Sequence, residues 1–133
     1  WETNRDRIDE FLDEFANLTK QRYSPGLMAR LAITKGDVKY DQIFSNPQDE
    51  SLIEQAFDHY ILATRYKAES SEKLFYDAVS ILLDRIAKLP KESVRILRRK
   101  VYPRLYKKGA TGNFAARAYK LIEECMYIHS EIL

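Results

Sequence analysis

The chain has 133 residues, of which 45% are hydrophobic, 32% charged and 12% aromatic, with a formal net charge of +2. That length supports one packed core without covalent staples, and the apolar and aromatic content excludes a solvated, disordered polymer. The longest apolar runs, such as residues 78–83, are far short of the roughly 20 residues a membrane-spanning helix needs, and Cys125, the single cysteine, permits no intrachain disulfide and points to a reducing, cytoplasmic setting.

Trp1 rather than Met opens the sequence and no secretory-leader pattern follows, so the native N-terminus is expected to lie elsewhere. Glycine is scarce, at four residues, while Leu, Ile, Ala, Glu, Lys and Arg are abundant, a vocabulary of helices rather than strands. Ile8, Phe11, Leu12, Phe15 and Leu18 recur at spacings of three and four, which places them on one face of a first helix. Thr3 is the expected cap of that helix and Ser24-Pro25-Gly26 its end. Leu27 to Ile33 fits a short helix, after which Lys35-Gly36-Asp37 resembles a turn, so a small hairpin or irregular segment is expected around residues 32–41.

Ser45-Asn46-Pro47 is a strong helix start. It predicts a helix over 47–67 with Leu52, Ile53, Ala56, Phe57, Tyr60, Ile61 and Thr64 facing inward. A break at 68–71 precedes a stripe of Leu74, Phe75, Ala78, Val79, Leu82, Ile86 and Leu89, which Pro90 stops. The next helix turns Val94, Leu97 and Val101 inward and is ended or kinked by Pro103. Gly109 to Asn113 forms a loop. A last helix follows, with Phe114, Ala118, Leu121, Ile122, Cys125, Ile128, His129 and Ile132 on its predicted face. Helices that are apolar on one stripe bury those stripes against one another. The expected fold is therefore all-α, a single-domain helical bundle of about five helices with short loops.

Charge counted by segment is the most informative functional signal. Residues 1–93 sum to −4 and residues 123–133 to −3, whereas residues 94–122 contain nine cations and no carboxylate. These are Arg95, Arg98, Arg99, Lys100, Arg104, Lys107, Lys108, Arg117 and Lys120, interleaved with Tyr102, Tyr106 and Tyr119. A concentrated positive segment can neutralise phosphates and release counterions, and aromatic rings among guanidinium groups suit unpaired bases. The first expectation is thus a non-enzymatic binding module whose nine cations face an anionic partner, nucleic acid or another polyanion. The alternative is a protein-interaction or structural subunit whose basic strip meets an acidic protein surface. The acidic row Asp6, Asp9, Glu10 and Asp13 is long enough to serve, within the fold or in a second copy. Leu27 and Met28 add apolar surface that favours a homo-oligomer.

Catalytic and metal signatures do not assemble, so no enzymatic activity, metal or cofactor is expected. Cys125 and His129 lie one turn apart on the apolar stripe, where packing accounts for both better than a metal does. His59 is adjacent to Asp58 and diverges from it around the helix. Residues three before His59 and His129 are Ala56 and Met126, so the Glu-x-x-His pattern of di-iron bundles is missing. Gly109 and Gly112 make only G-x-x-G without the Lys-Ser/Thr of a phosphate loop, and Thr111 or Asn113 is the expected cap of the last helix.

Overall fold

The computed structural model describes residues 2–19 and 24–132, with side chains described over 6–15 and 24–132. Helix α1 spans Glu2–Thr19, α2 Pro25–Ile43, α3 Glu50–Ser70 and α4 Glu72–Ala87. Helix α5, Lys91–Ile96, widens into a π-helical turn at Leu97–Val101 and then tightens into a 3₁₀ turn at Tyr102–Arg104, leading into the one-turn helix α6, Leu105–Lys108. Helix α7, Asn113–Tyr127, also ends in a π-helical turn, Ile128–Ile132. No strand occurs among the described residues, and none of their helices is long and apolar enough to cross a membrane.

Polar residues set the helix boundaries. Ser24 Oγ accepts from the Leu27 amide at 3.3 Å and Pro25 occupies the first turn, so Ser24-Pro25-Gly26 starts α2 instead of only ending α1. Asp49, two residues beyond Pro47, is the cap of α3, its Oδ1 3.1 Å from the Leu52 amide. Residues 45–47 are spent in hydrogen-bonded turns that precede it. The break between α3 and α4 is the single residue Ser71, which ends one helix and caps the next. Helix α1 begins at Glu2, which places Thr3 inside it, with a side chain outside the described residues.

The hairpin expected around residues 32–41 is replaced by unbroken helix. Gly36 serves close packing: a Cβ there would lie 2.8 Å from the Tyr60 ring and 3.1 Å from the Ala56 carbonyl. Helix α2 therefore lies tight and antiparallel on α3, with Ala29 and Ala32 against Ala63 at one end and Tyr40 beside Phe57 at the other. Asp37, read as a turn residue, accepts from Tyr60 Oη at 2.5 Å and from Arg85 Nε at 3.2 Å, and Tyr40 Oη donates to the Arg85 carbonyl at 2.9 Å. One polar clamp thus ties α2, α3 and α4 together. Burial pushes the Tyr40 phenol up to about 12 and the Tyr60 phenol higher still, so both remain proton donors.

Every residue of the predicted inward stripe of α3 is buried, and one continuous core runs from Tyr40 to Met126. Met28 is buried and Leu27 half-buried, so they expose less apolar surface than the sequence suggests. Helix α7 runs parallel to α4: Phe114 meets Phe75 edge-on at 5.1 Å near their starts, and His129 Nε2 lies 2.8 Å from the Leu89 carbonyl near their ends.

A Gly36→Ala substitution distinguishes the close-packing role from a turn. In an exposed helix interior it would raise stability by about 1 kcal/mol. Here the collision with a buried ring is expected to lower stability by about 1–3 kcal/mol, measurable as an earlier urea unfolding midpoint.

Candidate binding groove

The face of α7 differs from the one its periodicity predicts. Ala115, Ala118, Tyr119, Ile122, Met126 and Ser130 are buried, whereas Leu121, Ile128 and Ile132, all expected inside, are exposed. The helix is rotated because Tyr119 and Met126 fill the core. Tyr119 Oη donates to the Ala110 carbonyl at 2.6 Å and so latches the loop before α7. That loop enters the helix through Gly112 at a positive φ of 112°, with no side-chain cap, so neither Thr111 nor Asn113 has the capping role expected of it. Cys125 is half-buried, and its thiol pKa is pushed up by that burial.

The nine cations do not form one open plate. Along one edge of α3, Glu50, Glu54 and Asp58 recur every turn and meet the segment running beside them. Arg99 Nη2 is 2.7 Å from Glu50, and Lys100 reaches the same carboxylate at 3.9 Å. Arg104 bridges Glu54 at 3.5 Å and Asp58 at 2.9 Å, while Lys108 reaches Asp58 at 3.1 Å. Glu131, from the π-turn after α7, takes Arg98 at 3.0 Å and Arg95 at 3.7 Å. Lys107, Arg117 and Lys120 make no ion pair with a described residue. Lys107 lines a shallow depression with Arg65 and Thr111, and Arg117 and Lys120 line another with Tyr106. The acidic row of α1 is divided as well: Asp13 pairs with Lys35 and Asp9 with Lys39, both on α2.

Three of the predicted cations do converge. Arg95, Arg98 and Arg99 line an open groove of about 440 Å³ with Tyr102, Glu123 and Glu131, over a floor of Met126. Both π-helical turns contribute to its lining, Arg98 and Arg99 from Leu97–Val101 and Glu131 from Ile128–Ile132, together with residues of α5, the 3₁₀ turn and α7. A π-turn inserts a residue into the helical repeat and re-aims its side chains, and such turns are concentrated at functional sites. Arg98 is the hinge of the groove. Its Nη1 donates to the buried Ser130 Oγ at 3.2 Å, and its guanidinium lies 5.1 Å from the centre of the Tyr127 ring. The Tyr102 phenol, whose hydroxyl lies 3.4 Å from that of Tyr106, is raised by burial and by the Glu123 carboxylate, so it stays a donor.

Beyond Arg98 and Glu123 the groove continues into an apolar half of about 340 Å³, lined by Tyr127, Ile128 and Ile132 with Glu124 at its edge. The site thus joins a cationic half to an apolar half. Across the two halves three guanidinium groups, Arg95, Arg98 and Arg99, stand with three carboxylates, Glu123, Glu124 and Glu131, so the groove is of mixed charge. The apolar half escaped detection because Leu121, Ile128 and Ile132 satisfy an inward stripe on paper, although the buried Tyr119 and Met126 mark the true one. The acidic row was legible as a spacing of four and four from Glu50 through Glu54 to Asp58.

No His, Cys, Asp or Glu cluster able to hold a metal occurs among the described residues. His59 lies beside Lys35 and the α1 carboxylates, its pKa lowered first by burial and then by Lys35. Compared with known families, characterised proteins and solved structures, the chain gives no significant match.

Replacing Arg98 by Lys keeps the charge but removes the planar fork that spans Ser130, Glu131 and Tyr127. The expected result is a loss of about 1 kcal/mol with faster amide exchange confined to residues 128–132. Exchange unchanged there would mean that Arg98 does not organise the turn.

Proposed function

We propose that this chain is an all-α protein-binding module whose groove takes an acidic amphipathic helix. The observation that carries the reading is the junction at Arg98, where a cationic half and an apolar half share one wall. Apolar anchors seat against Tyr127, Ile128 and Ile132, and carboxylates along the flank of the same helix meet Arg95 and Arg99. Helix-in-groove recognition reads anchors at spacings of three and four in this way, with rim charges setting orientation and encounter rate more than affinity. Carboxylates inside the groove, Glu123 and Glu131, disfavour an unbroken row of phosphates and suit a partner of mixed character.

Single-stranded nucleic acid is the second reading, favoured by Lys107, Arg117 and Lys120, which have no ion pair with a described residue, and by the exposed Tyr106. One titration separates the two. A fluorescein-labelled 18-residue helix of Leu and Glu in amphipathic order is expected to bind, and to bind about tenfold more weakly after Arg95→Glu with Arg99→Glu. Absence of binding at about 1 mM peptide, or indifference to the double variant, removes the groove reading. An oligothymidylate that binds wild type and double variant alike, with log affinity falling by about 0.7 per phosphate contacted as log salt rises, supports the nucleic-acid reading instead.

A further inference from the structure

Helix α7 lines a second depression one turn ahead of the groove, and the two differ in charge. Asn113, Ala116, Arg117 and Lys120 recur at spacings of three and four, which sets them on one face of α7. Tyr106, from α6, completes the lining, and the space so formed measures about 380 Å³. Where the groove balances guanidinium groups with carboxylates, this lining holds two cations and no carboxylate. Arg117 and Lys120 are exposed and make no ion pair with a described residue. Glu123 and Glu124, the next acidic residues along α7, line the groove instead. Two positive charges match a phosphate monoester, which carries about −1.5 to −2 at neutral pH, better than the single charge of a phosphodiester.

Beside the cations is an aromatic surface. Tyr106 is 54% exposed, and its ring is held by Tyr119 at 5.1 Å and Tyr102 at 6.2 Å, with interplanar angles of 77° and 87°. Tyr119 is buried and bonded to the Ala110 carbonyl, so the exposed ring is anchored on the core. Both neighbours meet Tyr106 edge-on rather than stacking flat, which leaves ring surface for a planar group. A ring placed this way beside cations suits a base, because every base has a π-face to stack.

We infer that this depression binds a nucleotide by a terminal phosphate monoester, with Arg117 and Lys120 on the phosphate and the base stacked on Tyr106. The inference rests on the second reading above, in which these side chains face nucleic acid, and adds the chemical unit they hold. A free nucleoside monophosphate and the 5′-phosphorylated end of a single strand present the same phosphate and the same first base. The helix groove takes no part in it.

Amide chemical shifts of the full chain in low salt test this, with adenosine 5′-monophosphate as the probe. It is expected to bind with a dissociation constant of about 0.1–1 mM and to move amides around residues 106 and 113–120. Adenosine and inorganic phosphate are each expected to bind about tenfold more weakly, and Arg117→Glu with Lys120→Glu to lose at least about tenfold in affinity with unchanged helical circular dichroism. Tyr106→Leu is expected to cost about tenfold as well. A monophosphate that fails to bind at about 10 mM, binds the double variant as it binds wild type, or binds no better than inorganic phosphate overturns the inference. A short oligoadenylate then distinguishes the two sources: tighter binding than the monophosphate when it carries a 5′-phosphate assigns the site to a strand end, and no gain assigns it to the free nucleotide. An oligoadenylate that binds equally with a 5′-phosphate or a 5′-hydroxyl, while the monophosphate does not bind, leaves the nucleic-acid reading in place and removes the terminal phosphate.

Discussion

Glu50, Glu54 and Asp58 put one carboxylate per turn on the edge of α3, and the arrangement of the C-terminal third depends on them. The chain from Arg99 to Lys108 has to change helical pitch twice, from α to π and then to 3₁₀, before Pro103 lets it continue as α6. Four of the five cations along that path, Arg99, Lys100, Arg104 and Lys108, find a carboxylate on the same α3 edge. Exposed pairs of this kind contribute only about 0–1 kcal/mol apiece. Their effect lies in direction. They hold the irregular segment alongside α3, aim Arg95, Arg98 and Arg99 toward α7, and withdraw Arg104 and Lys108 from any external anion.

Much of the fold was legible from residue patterns because helix periodicity and capping are local. Every residue of the α3 stripe from Leu52 to Thr64 is buried, as is every residue of the α4 stripe from Leu74 to Leu89 except the half-buried Leu74. Lys35-Gly36-Asp37 was misread for a tertiary reason. A glycine chosen so that the Tyr60 ring can approach looks the same in sequence as one chosen for a turn, and Asp37 is matched to Tyr60 and Arg85 by contacts across the bundle. The α7 face was misread because that helix is apolar through more than half its circumference. Periodicity alone does not decide which part of so wide an arc is buried; the volume of Tyr119 and Met126 against the neighbouring helices does.

The candidate site followed the same division. A block of nine cations is visible in any charge count, but its potential depends on what packs beside it, and the carboxylates that answer it lie about 50 positions earlier on α3 or, in Glu131, beyond its end. Three cations then gather into one groove, three elsewhere have no ion pair with a described residue, and the others are spent on α3. What emerged from the structure alone is the apolar continuation of the groove, which arises where an amphipathic helix carries more apolar surface than its own core covers.

The account turns on whether the α3 carboxylates hold the basic segment, and a double-mutant cycle between Asp58 and Arg104 measures that directly. Asp58→Ala, Arg104→Ala and the double variant, unfolded in urea at low and high salt, are expected to give a coupling energy of about 0.5–1 kcal/mol that shrinks as salt is added. Additivity to within about 0.3 kcal/mol at low salt would contradict the account, because the cations would then be as free as the bare charge count suggests.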